Sequence, residues 1–263
     1  MTSPPSGSGT TDFDSAKVEL STGLLSSGTH VRGVVRSDVT TLLRPSGVTW
    51  AMEYGTYLVT GEALSPVRST VEVVKAAIAG GIDVVQLREK AASARERYEL
   101  GLELRELTAA ADVPLVVNDR VDIAAAVGAD GVHLGDDDVP VSVAREQLGP
   151  DAVVGRSVST VAGAEAAEVA GVYYLGVGAV YATSSKETGE EGSEIGLDRV
   201  RAVREAVDLP FVGIGGITVE RAADVVAAGA DGVAVISAIT QAEDPAAATR
   251  RLDDAVAEGR RRA

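Results

Sequence analysis

The sequence predicts an α/β fold in which a disordered N-terminal extension precedes a single (β/α)8 TIM barrel. From Tyr54 onward, short β-branched runs alternate with amphipathic Ala-, Glu- and Arg-rich stretches. A short sequence repeat occurs as AVGADGVHLG at 126–135 and as AAGADGVAVI at 227–236. Each copy contains the end of a helix, a glycine and the start of a new strand. Eight strand–helix units in about 210 residues fit this barrel. The alternative is a doubly wound sheet, but LVTGEALS at 58–65 lacks the glycine spacing that such a sheet carries after its first strand.

The strands and helices follow in chain order. Each predicted strand is a short β-branched run, at 56–60, 83–88, 115–118, 131–134, 153–157, 173–178, 211–215 and 233–237. Each is followed by an apolar pattern of helical period, at 69–80, 93–111, 121–127, 141–148, 161–170, 196–207, 218–228 and 244–258. Pro114 and Pro210 each end a helix and lead into a strand, because proline has no backbone N–H to continue the helix.

Residues 1–51 differ from the rest of the chain. Gly, Ser, Thr and Pro make up 26 of these 51 residues, and their charges cancel. No helical or strand period is sustained, so the segment cannot bury enough apolar surface to order itself. We therefore predict two parts, a disordered extension over 1–51 and the barrel over 52–263. A second interpretation of the first part is upstream sequence included by an early choice of start codon, since Met52 opens the barrel sequence.

Composition excludes several classes of function. The net charge of −15 argues against nucleic acid and anionic membranes as partners. The absence of cysteine excludes disulfides and thiolate catalysis. The chain has no long apolar run and no apparent leader, so we expect a cytoplasmic protein without a membrane span. Of its 24 basic residues only four are lysine, a composition that predicts a halophilic protein; an ordinary acidic protein from a GC-rich genome is the alternative.

Polar or glycine-rich sequence follows seven of the eight predicted strands. The segments are QLREK (86–90), VNDR (117–120), HLGDDD (133–138), GRSVS (155–159), GAVYATSSK (178–186), GIGGI (213–217) and VISAI (235–239). In a (β/α)8 barrel the carboxyl ends of all strands meet at one mouth, where catalytic residues lie. These segments are therefore expected to form one site.

The residue types at this mouth indicate phosphate and metal chemistry. Asp119 and the 136–138 aspartates offer oxygen ligands of the kind that Mg²⁺ prefers. Arg88, Lys90 and Lys186 supply positive charge for phosphate oxygens. Backbone N–H groups near 215–216 and 236–237 lie where barrels commonly hold a phosphate, after the seventh and eighth strands.

Each signal also has a purely structural interpretation. Residues 88–90 alone could be a solvated helix start, and the 136–138 aspartates alone could be a surface loop or helix cap. His133 lies within a strand and is expected to be packed or hydrogen-bonded rather than catalytic. Their joint occurrence at successive strand ends favours the functional interpretation.

The ordered motifs resemble the thiamine-phosphate synthase family. QLREK, VNDRVDIAAAVGADGVHLGDDD, GRSVST, TSSK, GIGGI and GADGVAVISAI occur in the family's order over residues 54–260. The long second motif is the most specific. With the acidic composition, the resemblance predicts a haloarchaeal member of the family. It implies an enzyme that joins a hydroxymethylpyrimidine diphosphate to a thiazole phosphate, with one Mg²⁺ per subunit. It implies no nucleic-acid or membrane partner. A homo-oligomer is possible.

The resemblance also implies a role for each matching residue. Arg88, Lys90 and Lys186 would be catalytic, and Asp119 and Asp138 would bind Mg²⁺. The pyrimidine diphosphate would contact Gln86, Leu87, Arg88, Glu89, Lys90, Asn118, Ser157 and Lys186. The thiazole phosphate would contact Thr183, Ser184, Ser185, Gly216, Ile236 and Ser237.

Two departures from the family pattern fall in the loop after the sixth strand. Ala182 stands where the family usually has proline, and Ser185 where it has a second threonine. They bear on the rigidity of the loop more than on its role. Two alternative functions stay open: a related thiazole tautomerase, which binds thiazole phosphate without Mg²⁺, and a non-catalytic binding protein of the thiamine pathway.

Overall fold

Eight parallel strands form a closed barrel in the computed structural model, which describes residues 41–43, 49–51, 54–61, 65, 67–183 and 194–263. Each strand pairs with its neighbours in sequence, and the last strand pairs with the first. The predicted (β/α)8 barrel is confirmed. Among the described residues, no helix has the length and apolar character needed to cross a membrane.

The barrel strands agree with the predicted ones to within two residues at each end. They are β1 (Thr56–Val59), β2 (Val84–Leu87), β3 (Leu115–Asn118), β4 (Gly131–Leu134), β5 (Val153–Val158), β6 (Tyr174–Gly178), β7 (Phe211–Ile214) and β8 (Gly232–Val235).

In the part of the chain that the structure describes, eight helices match predicted ones and one more is present. They are α1 (Thr70–Ala79), α2 (Ala94–Ala110), α3 (Val121–Val127), α4 (Val141–Leu148), α5 (Val161–Val169), α6 (Gly196–Ala206), α7 (Val219–Ala227), α8 (Ser237–Thr240) and α9 (Pro245–Arg262). The additional helix is α8. Its four residues are too few to show a helical period, and the sequence pattern therefore assigned its start to the last strand.

Two short strands lie before the barrel, where the sequence predicts no regular structure. Thr41–Leu43 pairs antiparallel with Thr49–Ala51. Threonine and tryptophan favour strands, and runs of three residues are too short to show a period. The remainder of 1–51 lies outside the described residues, so the expected disorder of that segment stays a prediction.

Alternate strand residues face two separate apolar layers. One side of each strand points into the barrel, where Tyr57, Val84, Val116, Tyr174 and Val212 belong to one buried cluster. The other side packs against the surrounding helices in a second and larger cluster. Both faces of every strand are thus covered, which is why the strands read as continuous apolar runs in the sequence.

The Ala-Asp-Gly repeat joins neighbouring strands at the amino end of the barrel. Asp130 lies just before β4 and accepts a 2.9 Å hydrogen bond from the backbone N–H of Leu115, the first residue of β3. Asp231 does the same for Phe211, at 2.8 Å. A Cβ on Gly131 would overlap the carbonyl oxygen of Val153, so the next position must be glycine. The Ala-Asp-Gly repeat is therefore a structural motif.

Replacing Asp130 with alanine is expected to lower the free energy of unfolding by about 2 kcal/mol, because the buried N–H of Leu115 loses its acceptor. The same carboxylate also pairs with Arg105 at 2.7 Å. Denaturant unfolding at constant salt measures the change. As a control, Asp198→Ala removes an exposed ion pair with Arg201, and such pairs contribute little. Equal destabilisation by the two variants would contradict this role of the Ala-Asp-Gly repeat.

Candidate active site

The carboxyl ends of all eight strands surround one pocket. Its volume is about 1070 Å³ when the mouth open to solvent is included. The pocket is lined by eight of the residues to which the family resemblance gives a role, namely Gln86, Arg88, Asn118, Ser157, Thr183, Gly216, Ile236 and Ser237. The structure thus brings together residues that come from strands far apart in the chain.

Other predicted site residues lie outside the lining of this pocket. Leu87 points its side chain outward into the helix-facing core, so only its backbone could reach a substrate. Glu89 is buried and accepts a 3.0 Å hydrogen bond from the hydroxyl of Thr70 at the start of α1. The exposed Lys90 follows it, and its carbonyl accepts a hydrogen bond from Arg97. Ser184, Ser185 and Lys186 lie outside the described residues.

Two carboxylates meet beside the pocket, after β3 and in the loop after β4. Burial, a hydrogen bond to Asp138 and repulsion from it raise the pKa of Asp119 to about 6, while the charges of Lys90 and Arg88 act in the opposite direction. Asp138 also accepts a 2.6 Å hydrogen bond from the backbone N–H of Gly135. The structure therefore places the two predicted metal ligands together, next to two of the predicted cations.

The backbone at Asp119 is held in an unusual conformation. Its φ of +62° lies in the left-handed region, which aspartate adopts more readily than most residues. The N–H of Asp119 donates a 2.8 Å hydrogen bond to the carbonyl of His133 on the adjacent strand. This bond and the strain mark a position whose carboxylate direction is set by the fold.

The neighbouring aspartates differ from this pair. Asp136 lines the pocket and pairs with Arg156 at 3.2 Å, and Asp137 is exposed. Within the described part of the chain, no group of three or more His, Cys, Asp or Glu side chains is arranged to hold a metal ion. A pair of carboxylates is nevertheless sufficient for Mg²⁺, which commonly takes one or two carboxylates and completes its shell with waters and substrate phosphates.

A row of five hydrogen-bonded side chains lines the pocket, and all but Ser157 are buried. Gln86 donates from Nε2 to the hydroxyl of Tyr57 at 2.8 Å, and that hydroxyl lies 2.7 Å from the hydroxyl of Tyr174. Nδ1 of His133 lies 2.9 Å from the Tyr174 hydroxyl, and its Nε2 lies 2.9 Å from Oγ of Ser157. We call these five residues the buried relay.

The two tyrosines of the relay were not among the residues predicted from the sequence. Burial raises the pKa of both phenols well above the usual range, so both keep their protons. Each tyrosine stands at a position of its strand that faces the inside of the barrel. A strand covered on both faces has no polar and apolar alternation, so its sequence does not show which residues face inward. His133 is buried and hydrogen-bonded, as expected.

The opposite side of the mouth is built from backbone. Gly216 has a φ of +61°, and a Cβ there would lie 2.6 Å from the carbonyl oxygen of Ala182. Only glycine allows these two loops to approach so closely. Helix α8 begins at Ser237, and the first N–H groups of a helix have no partner within it. Backbone groups from the ends of β7 and β8 therefore face one region, as at the usual phosphate site of such barrels.

One arginine clamps the loops after β6 and β7. Arg221 of α7 donates a 2.8 Å hydrogen bond to the carbonyl of Gly216, and its guanidinium lies 4.6 Å from the ring centre of Tyr181. The N–H of Tyr181 donates to the carbonyl of Gly215 at 3.1 Å. Thr183, the last residue described before 184–193, is thereby held next to the glycine-rich turn.

Comparison with known proteins agrees with this geometry. A (β/α)8 barrel whose mouth combines cations, a carboxylate pair and a backbone cradle belongs to the class of barrel enzymes that act on phosphorylated small molecules. The model of the family "Thiamine monophosphate synthase" matches residues 56–239. The chain belongs to this family.

Three relatives illustrate the similarity. A thiamine-phosphate synthase from Natronomonas pharaonis is 70% identical over 78% of this chain and 95% of the relative. One from Haloarcula marismortui is 62% identical over 80% of this chain and 100% of the relative. The solved thiamine phosphate pyrophosphorylase from Pyrococcus furiosus is 42% identical, covers 79% of this chain and 98% of its own, and has a TM-score of 0.72. The two haloarchaeal relatives agree with the predicted haloarchaeal origin.

Proposed function

We propose that the pocket binds 4-amino-2-methyl-5-(diphosphooxymethyl)pyrimidine and 4-methyl-5-(2-phosphoethyl)thiazole side by side, with Mg²⁺ at the diphosphate. The chain is a transferase of thiamine biosynthesis, a thiamine-phosphate synthase (EC 2.5.1.3), and releases pyrophosphate when the two rings are joined. One observation carries the placement of the substrates: a cationic, carboxylate-bearing side and a backbone cradle face each other across a single pocket.

Asp119 and Asp138 are the residues that would hold the metal. They fit Mg²⁺ because they are oxygen ligands that approach each other, and Mg²⁺ commonly takes one or two carboxylates. When bound, Mg²⁺ supplies positive charge that stabilises the departing pyrophosphate. The stoichiometry we propose is one ion per subunit.

The leaving group would be neutralised by side chains on the same side of the mouth. Arg88 lines the pocket, and Lys90 lies close enough to the Asp119 carboxylate for its charge to oppose the rise in the pKa of that group. Lys186, outside the described residues, is proposed to approach the same diphosphate. These positive charges would already be in place when the carbon–oxygen bond breaks, and preorganised charge of this kind often makes the greatest single contribution to catalysis.

The pyrimidine ring would lie over the buried relay, between Gln86, Asn118 and Ser157. All three line the pocket, from strands β2, β3 and β5. An aminopyrimidine is electron-rich and can carry positive charge once pyrophosphate has left, so a dissociative path is consistent with the site. The thiazole nitrogen then attacks the exposed carbon. No enzyme nucleophile is required, which agrees with the absence of cysteine.

The thiazole phosphate would lie on the opposite side of the mouth. Gly216, Ile236 and Ser237 would bind it with backbone groups, and the hydroxyl of Thr183 lies on the same pocket wall. Ser184 and Ser185 are proposed to add hydroxyl donors. The two phosphate groups are thus separated, and the reacting atoms of the two rings would meet between them.

A pyrophosphate-release assay tests this function. Pyrophosphate should form only when both substrates and Mg²⁺ are present. A thiazole tautomerase would instead isomerise thiazole phosphate without metal, and a binding protein would bind one substrate and release nothing. Either of these results would overturn the proposal. We further propose that the enzyme acts in the cytoplasm as a monomer or homo-oligomer.

A chain that begins at Met52 is expected to fold and to retain full activity, because residues 1–51 contain no periodic apolar face and none of the motifs. Thermal unfolding and the pyrophosphate assay, run beside the full-length chain, measure this. A marked loss of stability or turnover would show that the extension contributes to the barrel, and would argue against an early start codon.

A further inference from the structure

The buried relay consists of five hydrogen-bonded side chains, all of which line the pocket. Gln86 and Ser157 are its ends, on strands β2 and β5. Between them, the hydroxyls of Tyr57 and Tyr174 and the ring of His133 form hydrogen bonds of 2.7 to 2.9 Å. Every contact in the row needs one donor and one acceptor, so the choice made at one end constrains the other.

We propose that hydrogen bonds run in one direction along this relay, from Gln86 to Ser157, and that they hold His133 as the neutral tautomer protonated at Nε2. The amide nitrogen of Gln86 can only donate, so the Tyr57 oxygen accepts and its own hydrogen is available for Tyr174, its other partner. Tyr174 then donates to Nδ1 of His133, which must be unprotonated. Nε2 carries the remaining proton and donates it to Oγ of Ser157.

The direction of the relay sets the polarity of both ends. With its nitrogen donating to Tyr57, Gln86 presents Oε1, an acceptor, to a ligand. With its oxygen accepting from His133, Ser157 directs its own hydrogen outward as a donor. The site then favours a ligand that offers a donor at the first position and an acceptor at the second. An amino group beside a ring nitrogen has this pattern; this point rests on the proposed function. His133 acts as a positioning residue.

Packing around the relay fixes the position of the Tyr174 ring. The Tyr174 ring lies 5.1 Å from that of Tyr54 and 5.9 Å from that of Tyr57, measured between ring centres. A Cβ at Gly155 would overlap the Tyr174 ring and would lie 2.6 Å from Nδ1 of His133. The glycine leaves only enough room for the ring as placed.

Nitrogen-15 NMR of histidine tests the direction without any turnover. The chain has two histidines, His30 and His133, and a His30→Gln variant assigns the second signal. We expect the His133 spectrum of the full-length protein to show a proton on Nε2 and none on Nδ1. A proton on Nδ1 alone, or an imidazolium with both, would overturn the proposal.

The Gln86→Glu variant is the sharper test. An ionised carboxylate can only accept, so Tyr57 must donate to it and the whole row reverses. The proton of His133 is then expected on Nδ1. Spectra are recorded at increasing alkaline pH until they stop changing, so that the new carboxylate is ionised. Retention of the Nε2 proton would contradict the relay.

Asn118→Asp is the matched control. It makes the same amide-to-carboxylate change on the strand next to β2, also at the pocket wall, but outside the relay. The tautomer should not change. A proton shift in this variant would attribute the effect to charge rather than to the relay.

If Gln86→Glu does not fold, Tyr174→Phe replaces it. This variant removes the donor to Nδ1 of His133 and is expected to give a mixture of both tautomers. An unchanged spectrum would overturn the proposal.

Kinetics separate this inference from the proposed function. Gln86→Glu is expected to raise the KM for the pyrimidine diphosphate by at least about tenfold and to leave the KM for the thiazole phosphate within about twofold, because the relay ends at the pyrimidine side only. Equal changes in both KM values would contradict the positioning role. An Nε2 tautomer in a protein that releases no pyrophosphate would remove the proposed function and leave the relay standing.

Discussion

Replacing Arg88 with methionine is expected to raise the activation barrier by about 2–4 kcal/mol, which is roughly a 30- to 1,000-fold loss in kcat. Arg88 lines the pocket, and its backbone N–H is held by the hydroxyl of Thr60 at 2.9 Å. Negative charge develops on the diphosphate as it leaves, and the guanidinium can bind two of its oxygens at once. Methionine keeps much of the side-chain length and removes the charge.

The control for this variant is Lys75→Met. Lys75 is an exposed residue of α1, so its replacement changes the net charge by the same amount away from the pocket. We expect wild-type kcat for this control and partial recovery in Arg88→Lys, because lysine supplies the charge without the two-pronged geometry. Steady-state kinetics of pyrophosphate release measure all three. Equal losses at positions 75 and 88 would mean that overall charge, not a local contact, limits the reaction.

Asparagine at position 119 or 138 is expected to lower Mg²⁺-dependent turnover by at least about tenfold, because each variant removes one anionic ligand. The shape of the side chain is preserved, so the barrel should stay folded, as circular dichroism can verify. Either variant also removes the electrostatic repulsion between the carboxylates of Asp119 and Asp138. The loss should therefore concern metal binding and not stability.

Titration of Mg²⁺ identifies the affected step. Each variant should require more Mg²⁺ for half-maximal turnover than the wild-type chain requires. Asp137→Asn is the control, since Asp137 is exposed and adjacent to Asp138 in sequence. Near-normal turnover in both Asp119→Asn and Asp138→Asn at limiting Mg²⁺ would remove these residues from the metal site. A comparable loss in Asp137→Asn would indicate a general effect of local negative charge.

Much of the candidate site could be predicted because a parallel barrel converts sequence order into position. Once the eight strands are placed, the residue after each strand must lie at the same mouth. Gln86, Asn118 and Gly216 therefore line one pocket, although they are separated by long stretches of chain. The resemblance to the family added roles to these positions, and those roles stay proposals.

Other features were beyond the reach of sequence patterns. Whether a side chain at a strand end points inward or outward depends on the tilt and closure of the barrel. Leu87 packs toward the helices while its neighbour Gln86 faces the pocket, yet both lie in one apolar strand. The four residues of α8 were also missed, because a single turn shows no period. Periodicity is a local signal, and these features are not local.

The sequence by itself determined the number and order of the strands, the mouth at which polar residues collect, and the family. Only the tertiary structure decided which of those residues contact one another. The hydroxyls of Tyr57 and Tyr174 meet across 117 positions of chain, and His133 joins them to Ser157. Such partners are selected by closure of the barrel and by the space that Gly155 leaves. A buried hydrogen bond requires its partner at a defined distance and direction, and only the folded chain supplies both.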